Sequence, residues 1–266
     1  MRNPPRLTQA TTNNTILITG GTSGFGLELA TRLIALGNTV IITGRDQAKL
    51  DETKKLLPGI HTFQSDVSEP TAIELLYTQV VKQFPDLNFL INNAGIMRKI
   101  SLHDTSIGLL DITKEIDINL AGPIRMVQQF LPHLKTKQNA AILNVTSGLA
   151  LVPFPLSPIY GATKAGLHSY TKSLRVQLKK TRIKVFELVA PASSTPLNDK
   201  FANEEGFDPK MLMDPAKLID VAIKGLQNNK LEIYPGIAKA IKIMSRLAPG
   251  FLLKQLSKAG AKFMEG

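Results

Sequence analysis

The chain has 266 residues, 43% of them hydrophobic and 20% charged, with no cysteine and a formal net charge of +11. That is enough chain and apolar content for one large α/β domain with a full core, and it excludes a disulfide framework or a thiolate metal site. No apolar run approaches the roughly 18 residues of a membrane span, and the polar start shows no signal-peptide pattern, so a cytoplasmic location is expected.

Residues 1–14 are polar and expected to fray. Thr15 to Gly20 reads as a short buried strand. It runs into the glycine turn Gly20-Gly21-Thr22-Ser23-Gly24-Phe25-Gly26, and a helical pattern follows through Leu29, Leu33 and Leu36 to a C-capping Gly37. Strand, glycine turn and helix in this order point to a dinucleotide site, the alternative being no more than a glycine-rich turn. Gly20 permits the tight turn, Gly24 the approach of a phosphate, Gly26 close helix–strand packing, and the helix N-terminus offers amide donors to a pyrophosphate. Thr39 to Thr43 is the second strand, ending at Gly44-Arg45-Asp46. An arginine here accommodates a 2′-phosphate, whereas a carboxylate would hold a ribose hydroxyl. Arg45 therefore points to NADP(H), with NAD(H) as the second choice, and Asp46 reads as the N-cap of a helix from Gln47.

A third strand, Ile60 to Phe63, precedes Asp66 and Val67. Asp66 is either an acceptor for an adenine amine or a loop or capping carboxylate. Pro70 opens a helix with Ile73, Leu76, Val80 and Phe84 on one face, and the fourth strand, Leu87 to Ile91, closes on Asn92-Asn93-Ala94-Gly95. Small residues there let the backbone lie against a flat ligand. Helices are expected at about 104–118 and 122–135, with Asn119 between them, either as a buried amide needing partners or in a proton relay. The fifth strand, from Ala140, ends at Ser147, and Leu149 to Pro158 leads into a helix through about Lys180, its buried side read as Ala162, Ala165, Leu167, Tyr170 and Leu174. Tyr160 and Lys164 lie one turn apart on that helix. A cation there favours phenolate, although surface pairs at this spacing are common. A sixth strand from Ile183 leads to Ala190-Pro191 and Thr195, residues 196–214 form a candidate lid carrying Phe201, Phe207, Met211, Leu212 and Met213, Pro215 opens a helix, and Leu231 to Tyr234 is the seventh strand.

Alternating strands and helices predict a Rossmann-type, doubly wound, predominantly parallel seven-stranded sheet with helices on both faces, in a single domain spanning 1–266. Ligands of such sheets sit beyond the carboxyl ends of the strands. Every feature singled out follows a strand end, which argues against the surface-pair reading of Tyr160 and Lys164. His61, His103, His133 and His168 show no ligand spacing, so no metal is expected. The positive charge admits nucleic-acid binding, but no nucleic-acid motif accompanies it, and attraction of an anionic cofactor explains it as well.

Together, Thr19-Gly20-x-x-x-Gly24-x-Gly26, Asn92-Asn93-Ala94-Gly95 and the spacing of Asn119, Ser147, Tyr160 and Lys164 resemble the single-domain branch of the short-chain dehydrogenase/reductase family. The segments Lys184 to Pro191 and Arg246 to Lys254 are similar to DltE-type bacterial oxidoreductases. The resemblance implies an oxidoreductase that moves a hydride between a nicotinamide and a carbonyl or secondary alcohol. Asn119, Ser147, Tyr160 and Lys164 would be the catalytic set, with Tyr160 as general acid/base, Lys164 lowering its pKa and holding the ribose, and Asn119 fixing a water. Cofactor contacts would fall on Gly20, Thr22, Ser23, Gly24, Phe25, Gly26, Arg45, Asp66, Val67, Asn93, Ala94, Gly95, Tyr160, Lys164, Pro191 and Thr195. The family's usual Pro-Gly after the sixth strand is Ala190-Pro191 here, which predicts a different shape at the nicotinamide end. A homodimer or homotetramer through the helices at about 104–135 and 158–180 is the family's habit. A non-catalytic dinucleotide sensor is the alternative function. The small-molecule substrate is expected to carry apolar surface. The tail at 236–266 is basic and amphipathic, and packing on the body or another subunit is favoured over contact with an anionic membrane.

Overall fold

Short apolar runs alternate with 3.6-period stretches, and in the computed structural model, which describes residues 11–201 and 212–264, they become seven strands with helices between them. The strands are β1 (Thr15–Thr19), β2 (Thr39–Gly44), β3 (His61–Gln64), β4 (Leu87–Asn92), β5 (Ala140–Ser147), β6 (Ile183–Ala190) and β7 (Glu232–Ile233). They form one sheet in the order β3-β2-β1-β4-β5-β6-β7, with every pairing parallel. The order reverses between β1 and β4, so the connections that leave these neighbours cross opposite faces and open a crevice at their carboxyl ends.

Burial on both faces explains why the strands read as continuous apolar runs. Ile16 and Ile18 pack on one side with α1 (Gly24–Ala35) and α8 (Pro215–Gln227), through Leu29, Leu33, Leu218 and Ala222. Leu17 packs on the other with α3 (Pro70–Gln83) and α6 (Gly122–Lys135), through Ile73, Leu76, Met126 and Phe130. The helix α2 (Gln47–Leu56) is capped by Asp46, whose carboxylate accepts from the Lys49 amide at 3.2 Å.

A buried polar chain runs through the middle of the sheet. Asn92 Nδ2 donates to Asn144 Oδ1 at 2.9 Å, and Asn144 Nδ2 donates to Thr171 Oγ1 at 2.9 Å. It fastens α7 (Pro158–Gln177) to β4 and β5 by directional contacts that apolar packing cannot supply.

Several sequence expectations are corrected. Residues 11–14 are not frayed: Thr11 and Asn14 are buried, and the Asn14 amide donates to Asn38 Oδ1 at 3.0 Å. Residues 1–10 lie outside the described residues. The helix expected from about 104 starts only with α4 (Leu109–Ile112), because the Asp104 carboxylate accepts from the Ser106 amide and hydroxyl and holds a turn. After α5 (Lys114–Ile116), a π-helical turn over Asp117–Ala121 runs straight into α6, so Asn119 sits inside a helix rather than between two. On α7, Ala162 and Ala165 are exposed, and the buried face is Tyr160, Thr163, Lys164, Leu167, Thr171 and Leu174. The polar residues face inward because they have partners there. β3 and β7 are displaced or shortened by a residue or two from their expected ends.

Asn144→Ala breaks the polar chain on both sides and should destabilise the fold by about 1–3 kcal/mol for each group left unpaired. Urea unfolding should show this as a lowered midpoint with an unchanged slope.

Candidate active site

The glycine turn leaves β1 and enters α1 against the end of β4. Gly20 and Gly24 have φ of +67° and +52°, in the region that disfavours side chains. A Cβ on Gly20 would stand 2.8 Å from Ala94 Cα, and one on Gly26 would overlap the Gly20 carbonyl oxygen. Asn93 clamps the turn. Its Nδ2 donates to the carbonyls of Thr19 at 3.0 Å and Gly20 at 2.9 Å, while Thr19 Oγ1 accepts from the Asn93 and Ala94 amides, each at 3.1 Å. Asn93 thus has a structural duty that the sequence reading did not foresee. Gly24 faces Thr195, 3.6 Å from where its Cβ would be, so the segment after β6 reaches the turn despite Ala190-Pro191. Pro191 and Thr195 are both buried there. This narrow, side-chain-free cradle at the start of α1 fits the pyrophosphate of a dinucleotide.

Beside it lies a groove of about 300 Å³ whose walls include Thr22, Ser23, Lys49 and Pro196. Phe25 is half-buried beneath the turn and packs on the sheet core. Arg45 stands at the end of β2 with its guanidinium 3.9 Å from Asp66 Oδ2. Asp66 Oδ1 accepts from the Ser68 amide at 2.9 Å and hydroxyl at 2.7 Å, the arrangement of a loop carboxylate. Val67 is buried against Gly122 and belongs to the core beneath the sheet. Lys49, one turn beyond Arg45, was not singled out from sequence. Its place in the first turn after the β2 arginine was the available signal.

Ser147, Tyr160 and Lys164 come together at the end of β5. In register, Ser147 pairs with Ala190 at the ends of β5 and β6. Ser147 lies within hydrogen-bonding reach of the Tyr160 hydroxyl. Lys164 Nζ donates to the Val145 carbonyl at 2.9 Å and stands 5.6 Å from the centre of the Tyr160 ring. Asn119 is fully buried. Its Oδ1 accepts from the Ile96 amide at 2.9 Å, and its Nδ2 donates to the Ile96 carbonyl at 2.8 Å and to Thr163 Oγ1 at 3.3 Å. That satisfies the buried-amide reading and holds the loop after Gly95. A Cβ on Gly95 would stand 3.2 Å from Asn119 Oδ1, a tight contact, and 3.7 Å from Lys164 Nζ, so Gly95 lies against both side chains.

Burial dominates the electrostatics. It pushes the Tyr160 phenol up to about 12, with the hydrogen bond from Ser147 opposing and the carboxylate of Glu115 adding to the rise. It brings the Lys164 ammonium down to about 8. The Tyr160 pKa is therefore raised rather than lowered as expected, because desolvation of the phenolate dominates. Sequence reasoning also missed Glu115, which is wholly buried and accepts from the Arg98 amide at 3.0 Å. An acidic residue four positions before Asn119 on one helical face was the signal.

The outer wall is apolar. Met97, Phe154, Leu156 and Phe201 pack with Tyr160 and with Ala259 near the end of the chain. From the stretch Leu149 to Pro158, Phe154 and Leu156 are buried in this cluster and Leu149 packs against it. Of the expected lid, Phe201 is buried against Phe154, with ring centres 6.3 Å apart, and Met213 packs on the core and bridges Ser193. Phe207 and Met211 lie outside the described residues.

The family model for short chain dehydrogenases matches residues 14–206. The chain belongs to that family. This short-chain dehydrogenase is 41% identical over 246 residues to the oxidoreductase DltE of Bacillus subtilis, covering 92% of this chain and 97% of the relative. It is 33% identical over 175 residues to the NADP-dependent 3-hydroxy acid dehydrogenase YdfG of Escherichia coli, covering 65% of this chain and 70% of that one. In architecture it is similar to a short chain dehydrogenase from Burkholderia cenocepacia solved with NADP, with a TM-score of 0.79 at 22% identity over 94% of this chain and 99% of that one. As a member of the family it is an NAD(P)-dependent oxidoreductase.

In this short-chain dehydrogenase the buried Lys164 opposes folding. Its pKa falls from 10.5 to about 8 on folding, so between those values the unfolded chain binds more protons and stability rises with pH. Lys164→Met should therefore melt higher than the wild type at pH 7, and the gap should narrow as the pH climbs towards 10. A variant that melts lower at pH 7 contradicts this.

Proposed function

We propose that the chain reduces a ketone or aldehyde with NADPH, with Tyr160 as proton donor. The observation that carries the reading is the burial of Ser147, Tyr160 and Lys164 together at one strand end, beside the cradle of the glycine turn. The glycine turn and the start of α1 would hold the nicotinamide cofactor, which would supply the hydride for the carbonyl carbon. Tyr160 keeps its proton at neutral pH because its pKa stands near 12. It can yield that proton to an oxygen that becomes alkoxide as charge develops. The Ser147 hydroxyl donates a hydrogen bond to the same oxygen and stabilises the charge. Lys164, charged below about pH 8, favours the phenolate left behind and offers its remaining donors to the ribose hydroxyls. Asn119 holds the Ile96 loop and Thr163, and through them the approach to Lys164.

Lys49 lines the groove with Thr22 and Ser23, and Arg45 follows β2 one turn before Lys49; these two cations suit a ribose 2′-phosphate. The name of YdfG as NADP-dependent agrees with this preference. The apolar wall of Met97, Phe154, Leu156 and Phe201 suits a substrate with apolar surface. Assembly as a dimer or tetramer through α6 and α7 accords with the exposed Ala162 and Ala165 face of α7.

A panel of ketones and aldehydes, followed by loss of NADPH absorbance, tests the activity. Tyr160→Phe should lower kcat by about 10²–10⁴-fold and leave the Kd for NADPH within a few-fold of wild type. Near-normal turnover in that variant would sink the proposed role. Arg45→Ala should weaken NADPH about 10–100-fold, the worth of a charged hydrogen bond, with little change for NADH. Equal losses for both cofactors refute the preference.

A further inference from the structure

The C-terminal helices α9 (Ala238–Leu247) and α10 (Pro249–Leu256) carry apolar residues on more than one side. A surface helix needs one stripe to bind its own domain. On α9 that stripe is Ala238 and Ile241: Ala238 is buried, and Ile241 Cδ1 stands 3.2 Å from the Cβ position of Gly148, the residue after Ser147. Ala240, Ile243 and Leu247, at i, i+3 and i+7, form a second stripe turned away from the first. Ile243 is 50% and Leu247 76% exposed, and beyond the break at Ala248 Phe251 is 56% exposed. Packing on the body, the reading favoured from sequence, accounts for Ile241, Leu256 and Ala259 and leaves this outer stripe uncovered.

The charge around the stripe has one sign. From Ile233 to Met264 the sequence contains no Asp or Glu, while Lys239, Lys242, Arg246, Lys254 and Lys258 interleave with the apolar residues. Lys242 is spent on Glu232, at 3.0 Å. Among the described residues, Lys239, Arg246, Lys254 and Lys258 form no ion pair. No helix of the described residues is long and apolar enough to cross a membrane.

We propose that the outer face of α9 and α10 docks on an anionic lipid surface. Aliphatic and aromatic side chains flanked by cations fit the boundary between acyl chains and anionic headgroups. A second copy is the poorer occupant. A two-fold contact sets a face against itself, and here it would bring cation against cation. The surface lies on the outside of the helix that lines Gly148, so docking would place the active-site wall at the bilayer.

Full-length protein sedimented with phosphatidylcholine vesicles, with and without phosphatidylglycerol, tests this. The bound fraction should rise at least tenfold when phosphatidylglycerol is present and fall as salt is added. The double variant L247S/F251S, both positions being exposed, should lose at least tenfold in vesicle binding and keep its melting temperature and its affinity for NADPH. Wild-type binding that ignores lipid charge and salt, or that L247S/F251S leaves unchanged, overturns the proposal. So does a wild type that binds no vesicles while light scattering shows a dimer that L247S/F251S dissolves, since the face would then join two copies.

Discussion

The site depends on how closely two neighbouring strand ends approach at the point where the sheet reverses its winding. β1 and β4 leave the sheet towards opposite faces, and the turn between β1 and α1 must lie against the residues after β4. It can do so because Gly26 presents no side chain to the Gly20 carbonyl and Gly20 presents none to Ala94. Asn93 then fixes the arrangement by giving its amide to two carbonyls of the turn. The cradle is thus held by contacts within the chain itself, as a preorganised site requires.

A second constraint acts from the other side of the crevice. The helix α7 turns Tyr160, Thr163, Lys164 and Thr171 towards the protein interior, an arrangement that desolvation alone would oppose. Each has a partner: Ser147, the Tyr160 carbonyl, the Val145 carbonyl and Asn144 respectively. Burial also shapes the chemistry. A phenol near 12 beside an ammonium near 8 is a protonated acid at neutral pH.

The sheet was legible because its strands are buried on both faces and end abruptly in glycine or small polar residues. The placement of Arg45, Ser147 and Thr195 at strand ends followed from that alone. Asp66 was left open from sequence, and its contacts with Ser68 are those of a loop carboxylate. What escaped the sequence depends on contacts between distant segments. The π turn around Asn119 coincides with its clamp on Ile96, 23 residues away. The inner face of α7 was misjudged because alanines at 162 and 165 look buried by composition, whereas the helix turns its polar residues inward to meet β5. The direction of the Tyr160 shift depends on how fully the ring is enclosed, and the outward stripe of α9 emerged only when its inward stripe had been placed against Gly148.

In the proposed reaction the crevice between the glycine turn and Tyr160 brings a nicotinamide and a carbonyl carbon together. Incubating the protein with a ketone and aldehyde panel and 4-deuterated NADPH, each epimer in turn, tests it most directly. The account predicts that one epimer yields an alcohol carrying deuterium on the former carbonyl carbon. Alcohol formed without that label, or no alcohol from any member of the panel, would contradict it.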